Sequence, residues 1–116
     1  MTTKKTVVDR YIEGFRRRDH DLILSCLTDE VTWEMPGFFE LHGKTACNDE
    51  IENDAFEGSP TITIDRLIEE GDAVVAIGAV RSPMKNGTTL EAVFCDVFTF
   101  VGDKIHRLET YQVNLS

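Results

Sequence analysis

The second half of the chain contains four β-rich runs separated by three turn signals, and this pattern restricts the possible folds most strongly. The runs read TITIDRLIE, AVVAIGAVRS, TTLEAVFCDVFTFV and KIHRLETYQV, and between them stand Glu70-Gly71-Asp72, Lys85-Asn86-Gly87 and Gly102-Asp103. Asn-Gly between β runs is among the best short hairpin signals, and Gly-Asp also favours a hairpin. The sequence therefore predicts an antiparallel meander of four long strands after Gly58-Ser59-Pro60.

The first half must supply the layer that covers one face of this sheet, because a sheet buries its apolar face against another layer. Residues 5 to 18 predict a first helix, in which the apolar residues recur at helical spacing: Val7, Val8, Tyr11, Ile12 and Phe15. A second helix is predicted in DHDLILSCL, with Asp19 or Asp21 as its N-cap. The helices are therefore expected to pack into the sheet.

A strand and a third helix complete the first half. Val31, Trp33 and Met35 alternate as in a strand that ends at Pro36-Gly37. After Gly43, one face of a predicted helix carries Cys47, Ile51 and Ala55. No linker divides the chain, so residues 1–116 are predicted to form a single α+β domain. A curved sheet wrapped around a long helix can leave a conical cavity.

Composition and charge restrict the classes of partner that the chain is expected to bind. Twelve basic and twenty-one acidic residues give a net charge of -9, which repels nucleic acid and anionic membrane surfaces. The basic cluster Arg16-Arg17-Arg18 is interpreted as the C-terminal end of a helix. No window approaches the ~20 apolar residues of a membrane span, and no signal peptide is recognised. The sequence thus predicts a cytoplasmic protein that binds neither nucleic acid nor membrane.

The cysteines and histidines indicate neither disulfides nor a metal. Cys26, Cys47 and Cys95 are an odd number without CxxC spacing, which is typical of reduced, buried thiols. The three histidines lack the spacing of metal ligands on a helix. We therefore predict no metal site.

Asp96 is the residue that most needs an explanation, because it lies within the strand-like run FCDVFTF. Phe94, Phe98 and Phe100 share its strand face, so an inward Asp96 would enter an apolar pocket where burial raises its pKa. An apolar pocket with few polar groups is the usual small-molecule site. The alternative is a structural carboxylate that binds Tyr11 or backbone donors.

The order of elements resembles the nuclear transport factor 2-like superfamily, in its SnoaL-like and ketosteroid isomerase-like branches. The resemblance covers nearly the whole chain and rests on RYIEGF, DEVTWEMPG, HGK, CDVFTF and GDKIHRLETYQVNLS. It implies an α+β fold of the cystatin-like kind, in which a cone-shaped, curved antiparallel sheet wraps around the N-terminal helices. It also implies a homodimer formed through the outer face of the sheet, where Tyr111 and Val113 are expected.

Three positions carry over from the ketosteroid isomerases by resemblance. Tyr11 matches the tyrosine that donates a hydrogen bond to the substrate oxyanion, and Asp96 matches the protonated aspartic acid that donates the second. Met35 stands where those isomerases have their aspartate base, and a thioether cannot accept a proton. Glu34 could replace that base only through a bulge, because strand alternation points it to the opposite face.

Further titratable and aromatic side chains are candidates for the surroundings of the cavity. His42 and Glu91 could approach its mouth, and His106 shares the strand face of Leu108 and could point inward. Phe38-Phe39 forms either a lid over the cavity or a surface turn.

A resemblance to limonene epoxide hydrolases is less complete. Those enzymes activate water with two aspartates and an arginine, and Asp96 matches one of the aspartates. Phe94 stands at the position of the arginine, and Thr110 stands at the position of the second aspartate. SnoaL-like polyketide cyclases require only an acid or base in an apolar pocket, so that branch fits with fewer contradictions.

The sequence therefore predicts a cofactor-free isomerase, cyclase or lyase that acts on a small hydrophobic cyclic or carbonyl compound. Asp96 would be the acid or base, or an oxyanion donor, and Tyr11 would be a second donor. The pocket would be lined by Trp33, Met35, Phe56, Phe94, Phe98 and Leu108. The alternative is a module of the same fold that binds a ligand or a second copy without chemistry, and Met35 is its main support.

Overall fold

The computed structural model describes residues 2–51 and 58–115, and within them three helices precede or interrupt the first strands of a long sheet. The helices are α1 (Thr3–Arg17), α2 (His20–Ser25) and α3 (Lys44–Ile51). The strands are β1 (Leu27–Met35), β2 (Phe39–His42), β3 (Thr61–Glu70), β4 (Ala73–Pro83), β5 (Thr89–Val101) and β6 (Lys104–Asn114). The predicted pocket residue Phe56 lies outside the described residues.

Helix α1 spans Thr3–Arg17, close to the predicted residues 5 to 18, and both of its ends are capped. The Thr2 side chain accepts a hydrogen bond from the Lys5 backbone N–H, and Arg18 closes the other end in a left-handed conformation with φ of 53°. Arg16 and Arg17 occupy the last turn, where cations complement the helix dipole. The Arg16 guanidinium also donates to the Ile62 carbonyl at 2.7 and 3.1 Å, which attaches α1 to strand β3.

Helix α2 has Asp19 as its N-cap, not Asp21. The Asp19 side chain accepts from the Leu22 backbone N–H at 3.0 Å. This bond satisfies one of the free donors of the first turn.

The predicted meander is present, and the sheet extends beyond it. Strands β3 to β6 pair in chain order and antiparallel, in the sheet order β2-β1-β6-β5-β4-β3. Strand β1 joins β6 in parallel, and β2 pairs antiparallel with β1. The described sheet is thus mixed and mostly antiparallel. The parallel pair was not predicted, because it joins segments far apart in sequence and no local turn signal announces it.

The core lies between the helices and one face of the sheet. Side chains without measurable exposure come from both layers, among them Val8 of α1, Val74 of β4, Phe98 of β5 and Ile105 of β6. The alternation of β5 places Phe94, Asp96, Phe98 and Phe100 on this inner face, as their sequence phase predicted. Among the described residues, no helix is long and apolar enough to cross a membrane.

A β-bulge changes the phase of β6 and corrects one prediction. Phe100 pairs with Ile105 whereas Thr99 pairs with Arg107, so His106 is the extra residue. In a regular strand, residues three apart point to opposite faces. Ile105 and Leu108 are nevertheless both buried, because the bulge lies between them. The prediction that His106 shares the face of Leu108 is therefore wrong. Its Nδ1 atom lies 2.8 Å from the Thr28 hydroxyl.

Gly78 makes the close approach of β3, β4 and β5 possible. A Cβ atom at this position would lie 2.1 Å from the Thr63 carbonyl oxygen and 3.1 Å from the Phe94 ring. The cross-strand neighbour of Gly78 is Phe94, so the missing side chain leaves room for that ring. Neighbouring β3 carries a bulge between Ile64 and Arg66.

We expect Gly78→Ala to lower the free energy of unfolding by about 3 kcal/mol or more, because backbone must move to relieve the clash. Gly87→Ala is the control: nothing lies near its Cβ, and only its φ of +88° is strained, which costs about 1 kcal/mol. Urea denaturation of both variants measures the difference. Equal losses would show that the contact at Gly78 relaxes without cost.

Candidate functional site

Asp96 lies in the wall of a cavity between α1 and the inner face of the sheet. We call this cavity the deep chamber; its volume is about 130 Å³. Most of its described lining is apolar, and the residues are Tyr11, Ile12, Phe15, Trp33, Ile62, Val80, Phe94, Asp96, Leu108, Thr110 and Gln112. An apolar cavity of about 150 Å³ admits a benzene ring. The deep chamber therefore has the size of a single ring.

The strand register positions the polar groups of the deep chamber. Asp96 pairs with Ala76 on one side and with Thr110 on the other. Thr110 and Gln112 are in phase with Leu108 and thus face the same side as Asp96.

The carboxyl group of Asp96 is removed from water and is not fully hydrogen-bonded. The residue as a whole is only partly buried, yet its Oδ1 atom is inaccessible and has no hydrogen-bond partner. Burial raises the pKa of Asp96 to about 7, and the nearby Thr110 hydroxyl acts in the opposite direction. Because Oδ1 is unpartnered, desolvation is the dominant effect, and Asp96 is poised to change its charge near neutral pH.

Tyr11 brings a phenol to the same chamber. Its ring is almost fully buried against Phe15 and Phe98, with centroid distances of 5.0 and 5.4 Å. Burial, and then the charge of Asp96, raise the pKa of Tyr11 well above its ordinary value. The phenol therefore stays protonated at neutral pH and can donate a hydrogen bond.

A row of aromatic rings continues from Tyr11 toward the outside. Phe15 packs on Trp33 at 6.0 Å, and Trp33 packs on Phe39 at 5.1 Å, both edge to face. The Trp33 indole N–H donates to the Thr110 hydroxyl at 3.1 Å, which fixes the ring. The row thus forms one continuous wall.

This wall leads into a second cavity, the outer chamber, of about 250 Å³. The two chambers share Phe15, Trp33, Ile62, Val80, Thr110 and Gln112, so they adjoin. Polar side chains of Arg18, Glu50 and Ser82 belong to the outer chamber alone. A ligand that fills both chambers would place its apolar end near Asp96 and its other end near these polar groups.

The predicted pocket residues fall into three groups. Trp33, Phe94 and Leu108 line the deep chamber together with Asp96 and Tyr11. Met35 lines the outer chamber. Phe98 has no exposed surface and packs behind Tyr11, so it supports the phenol and is not part of the described wall. Phe38 is a surface turn residue with 69% exposure, whereas Phe39 lines the outer chamber.

Glu34, the possible replacement base, and the two side chains expected at the cavity mouth all lie outside the chambers. Glu34 accepts a hydrogen bond from Arg107 at 2.7 Å, and Arg107 also binds Glu109 at 2.9 Å. This ion-pair network lies on the outer face of the sheet, so the hypothesis of an inward Glu34 is wrong. Glu91 pairs with Arg81 at 3.4 Å.

His42 is likewise turned away from the chambers. It is exposed, and its ring nitrogens face Thr32 and Glu40. Within residues 2–51 and 58–115, no three His, Cys, Asp or Glu side chains are grouped as metal ligands would be.

Several wall residues were not predicted as site residues. Phe15 and Val80 looked like ordinary core positions, and Ile62 belongs to an edge strand. Gln112 had a usable signal, because it shares the strand phase of Leu108. Nothing local identifies the others, because the chamber is formed by a helix and strands that meet only in the tertiary structure.

The raised pKa of Asp96 predicts a specific pH dependence of stability. Because the folded pKa of about 7 exceeds the unfolded value, the stabilising contribution is complete below pH ~4 and is lost as pH rises through ~7. Relative to Asp96→Asn, the free energy of unfolding should fall by roughly 3 to 4 kcal/mol across that range. Urea denaturation at several pH values tests this. A pH-independent difference would contradict it, and Glu91→Gln, a change of an exposed carboxylate, is the control.

Comparison with solved structures shows the same fold in other proteins. The chain is similar to an NTF2-like protein of unknown function from Burkholderia pseudomallei, with 24% identity, a TM-score of 0.88 and coverage of 95% of this chain and 90% of that one. It is similar to TerC, co-crystallised with polyporic acid, with 24% identity, a TM-score of 0.83 and coverage of 94% and 90%. It is also similar to an LEH-like epoxide hydrolase from M. tuberculosis, with 17% identity, a TM-score of 0.84 and coverage of 96% and 83%.

At these identities the likeness shows that the fold is shared, and it does not show that this chain has the activities of those proteins. No protein with a curated description matches the sequence significantly. The sequence profile of the SnoaL-like domain, however, matches residues 8–108, which is most of the chain. Together with the helices and the mostly antiparallel six-stranded sheet of the described residues, this match shows that the chain belongs to the SnoaL-like domain family and has the NTF2-like fold.

Proposed function

We propose that the protein is a cofactor-free isomerase, cyclase or lyase that moves a proton on a small hydrophobic cyclic or carbonyl compound. The observation that carries this proposal is the buried, unpartnered Oδ1 of Asp96 in an apolar chamber. An acid with a pKa near the working pH can take up a proton and return it. With a pKa of about 7, Asp96 meets that condition without a second titrating group.

Proton transfer would begin with ionised Asp96 and a carbonyl compound in the deep chamber. The carboxylate takes the proton from the carbon next to the carbonyl. The C–H electron pair forms the C=C bond of an enolate, and the π electron pair of the carbonyl moves onto its oxygen. The Tyr11 O–H donates a hydrogen bond to that oxygen and stabilises its charge. Where a C=C bond adjoins the deprotonated carbon, the enolate is a dienolate; protonated Asp96 then returns the proton to its far carbon, which shifts the double bond and completes an isomerisation.

In this scheme Asp96 acts as the base, which explains how a chain with Met35 could still be an enzyme. Ketosteroid isomerases, by the resemblance stated above, use an aspartate at the position of Met35 and keep the counterpart of Asp96 protonated. Here Met35 contributes only apolar surface to the outer chamber. Water activation of the epoxide hydrolase kind is not proposed, because Thr110 and Phe94 replace the second aspartate and the arginine next to Asp96.

Binding without chemistry is the second candidate. Asp96 is the single carboxylate among the described residues of the deep chamber, and the side chains proposed as substitutes for a base face elsewhere. A chamber of this kind could hold an apolar ligand through Asp96 and Tyr11 as hydrogen-bond donors alone. Independent measurements of ligand binding and of proton transfer separate the enzyme from the binding module.

We also propose a homodimer formed through the outer face of the sheet. Val93, Tyr111 and Val113 expose apolar surface there, and together with Phe38 they border a shallow groove. Contiguous apolar patches on a protein surface commonly mark interfaces. The free thiols of Cys26, Cys47 and Cys95 are in keeping with the cytoplasm, which we include in the proposal as the compartment.

Asp96→Asn should abolish proton transfer and preserve binding. Polyporic acid and a set of one- and two-ring cyclic ketones serve as probes, and their binding is followed by fluorescence of Trp33, the only tryptophan of the chain. Exchange of α-protons in D₂O, followed by NMR, reports proton transfer. We expect at least about 10²-fold slower exchange in Asp96→Asn and a similar loss in Tyr11→Phe, with little change in affinity.

Glu91→Gln is the matched control, because it also neutralises a carboxylate of the sheet but lies outside both chambers. Its exchange rate should equal that of the wild type. Wild-type protein that binds a probe with no exchange at any pH between about 6 and 9 would overturn the enzymatic proposal and favour the binding module.

Val113→Lys should convert a dimer into a monomer, because an ammonium group cannot be buried at an apolar interface without a partner. Light scattering should give twice the 13.1 kDa chain mass for the wild type and the chain mass for the variant. Val101→Lys is the control, since Val101 is exposed at the far end of β5. A monomeric wild type at high concentration would refute the dimer.

A further inference from the structure

The hydrogen bond between Trp33 and Thr110 has a consequence for Asp96. An indole N–H can only donate, so in this 3.1 Å contact the Thr110 oxygen is the acceptor. The bond joins β1 to β6 by side chains, in addition to their backbone pairing, in which Trp33 lies opposite Leu108. The position of the Thr110 hydroxyl is therefore set by a residue from another strand.

Thr110 also lies directly opposite Asp96 in the pairing of β5 with β6. Both side chains line the deep chamber. A hydroxyl whose oxygen already accepts one hydrogen bond keeps its own O–H available, and a carboxylate is the strongest neighbouring acceptor. The three side chains therefore lie in an order in which Trp33 donates to the Thr110 oxygen and Thr110 can donate its own O–H to Asp96.

We infer that Trp33 and Thr110 are positioning residues for Asp96: the indole N–H holds the Thr110 hydroxyl so that its O–H points to the Asp96 carboxyl. The inference deepens the proposed function, because an O–H directed at the carboxyl favours the ionised form that acts as base. In agreement with this geometry, Thr110 counteracts the rise that burial causes in the pKa of Asp96. Oδ1 itself is buried and has no hydrogen-bond partner, so the Thr110 hydroxyl has no competing donor at that atom.

The charged and titratable groups around Asp96 are few, which makes its titration easy to interpret. From α1 it faces Tyr11, and the thiols of Cys26 and Cys47 act on Tyr11 from the helices behind it. Burial raises the pKa of both thiols, so they also stay protonated near neutral pH. The β4 neighbour is Ala76, and Arg18 and Glu50 belong to the outer chamber.

The test is a carboxyl-carbon NMR titration of Asp96 in the ligand-free protein, assigned with Asp96→Asn. Thr110→Val, which has nearly the same shape, should raise the pKa by about one unit, since it removes a hydrogen bond to a charged group. Thr110→Ser keeps a hydroxyl and should restore the wild-type value. Trp33→Phe should produce a smaller rise in the same direction, because the released hydroxyl can rotate away.

The double variant Trp33→Phe/Thr110→Val separates positioning from a general change in packing. If Trp33 acts through Thr110, its replacement has no further effect once the hydroxyl is absent, and the double-mutant cycle shows coupling. An equal effect of Trp33→Phe in both backgrounds, or an unchanged pKa in Thr110→Val, would overturn the inference. Thr99→Val, on the same strand as Asp96 but of opposite phase, is the control and should leave the titration unchanged.

The titration needs no ligand and no turnover, so its outcome is independent of the proposed function. A coupled shift of the pKa without proton exchange on any probe would retain the positioning pair and reject the enzyme. Proton exchange on a probe without coupling between Trp33 and Thr110 would retain the enzyme and reject the positioning pair. If both hold, Thr110→Val should shift the pH profile of exchange upward by about the same unit as the pKa.

Discussion

The packing of α1 against the inner face of the sheet is the contact on which both the fold and the cavity depend. Val8 and Ile12 bury themselves between the layers, and Tyr11 on the same helix face contacts Phe98 of β5. Burial of these apolar surfaces provides the main stabilising free energy of such a domain. Because the same helix face also borders the deep chamber, residues that stabilise the core and residues that line the chamber are neighbours on α1.

The deep chamber is an unfilled apolar space beside the β5 residues Phe94 and Asp96. Their cross-strand neighbours in β4 are the small residues Gly78 and Ala76, and a Cβ at Gly78 would press on the Phe94 ring. An unfilled apolar space carries a cost in lost dispersion contacts. The buried carboxyl adds a second cost, because Oδ1 lacks a partner. Two unfavourable features at one place are typical of a functional site.

The electrostatics of the site follow from the separation of the two faces of the sheet. The outer face carries the network of Arg107 with Glu34 and Glu109, in which partly exposed opposite charges pair with one another. The inner face carries Asp96, and helix α1 places Tyr11 against that face; burial holds both groups toward their neutral forms. Because successive side chains of a strand point to opposite faces, the paired charges of β1 and β6 lie on the outer face and the carboxyl of Asp96 lies on the inner face.

The sequence by itself determined the helices, the basic end of α1, an aspartate cap for α2, the four-strand meander and the inward phase of Asp96, because these features depend on local spacing and turn residues. It also matched Tyr11 and Asp96 to a family site. Only the tertiary structure decided the parallel pairing of β1 with β6, the bulge that turns His106 away, and the outward ion pair of Glu34. It alone brought Trp33 to Thr110. These features join segments far apart in the chain, and their energies depend on packing that no local pattern records.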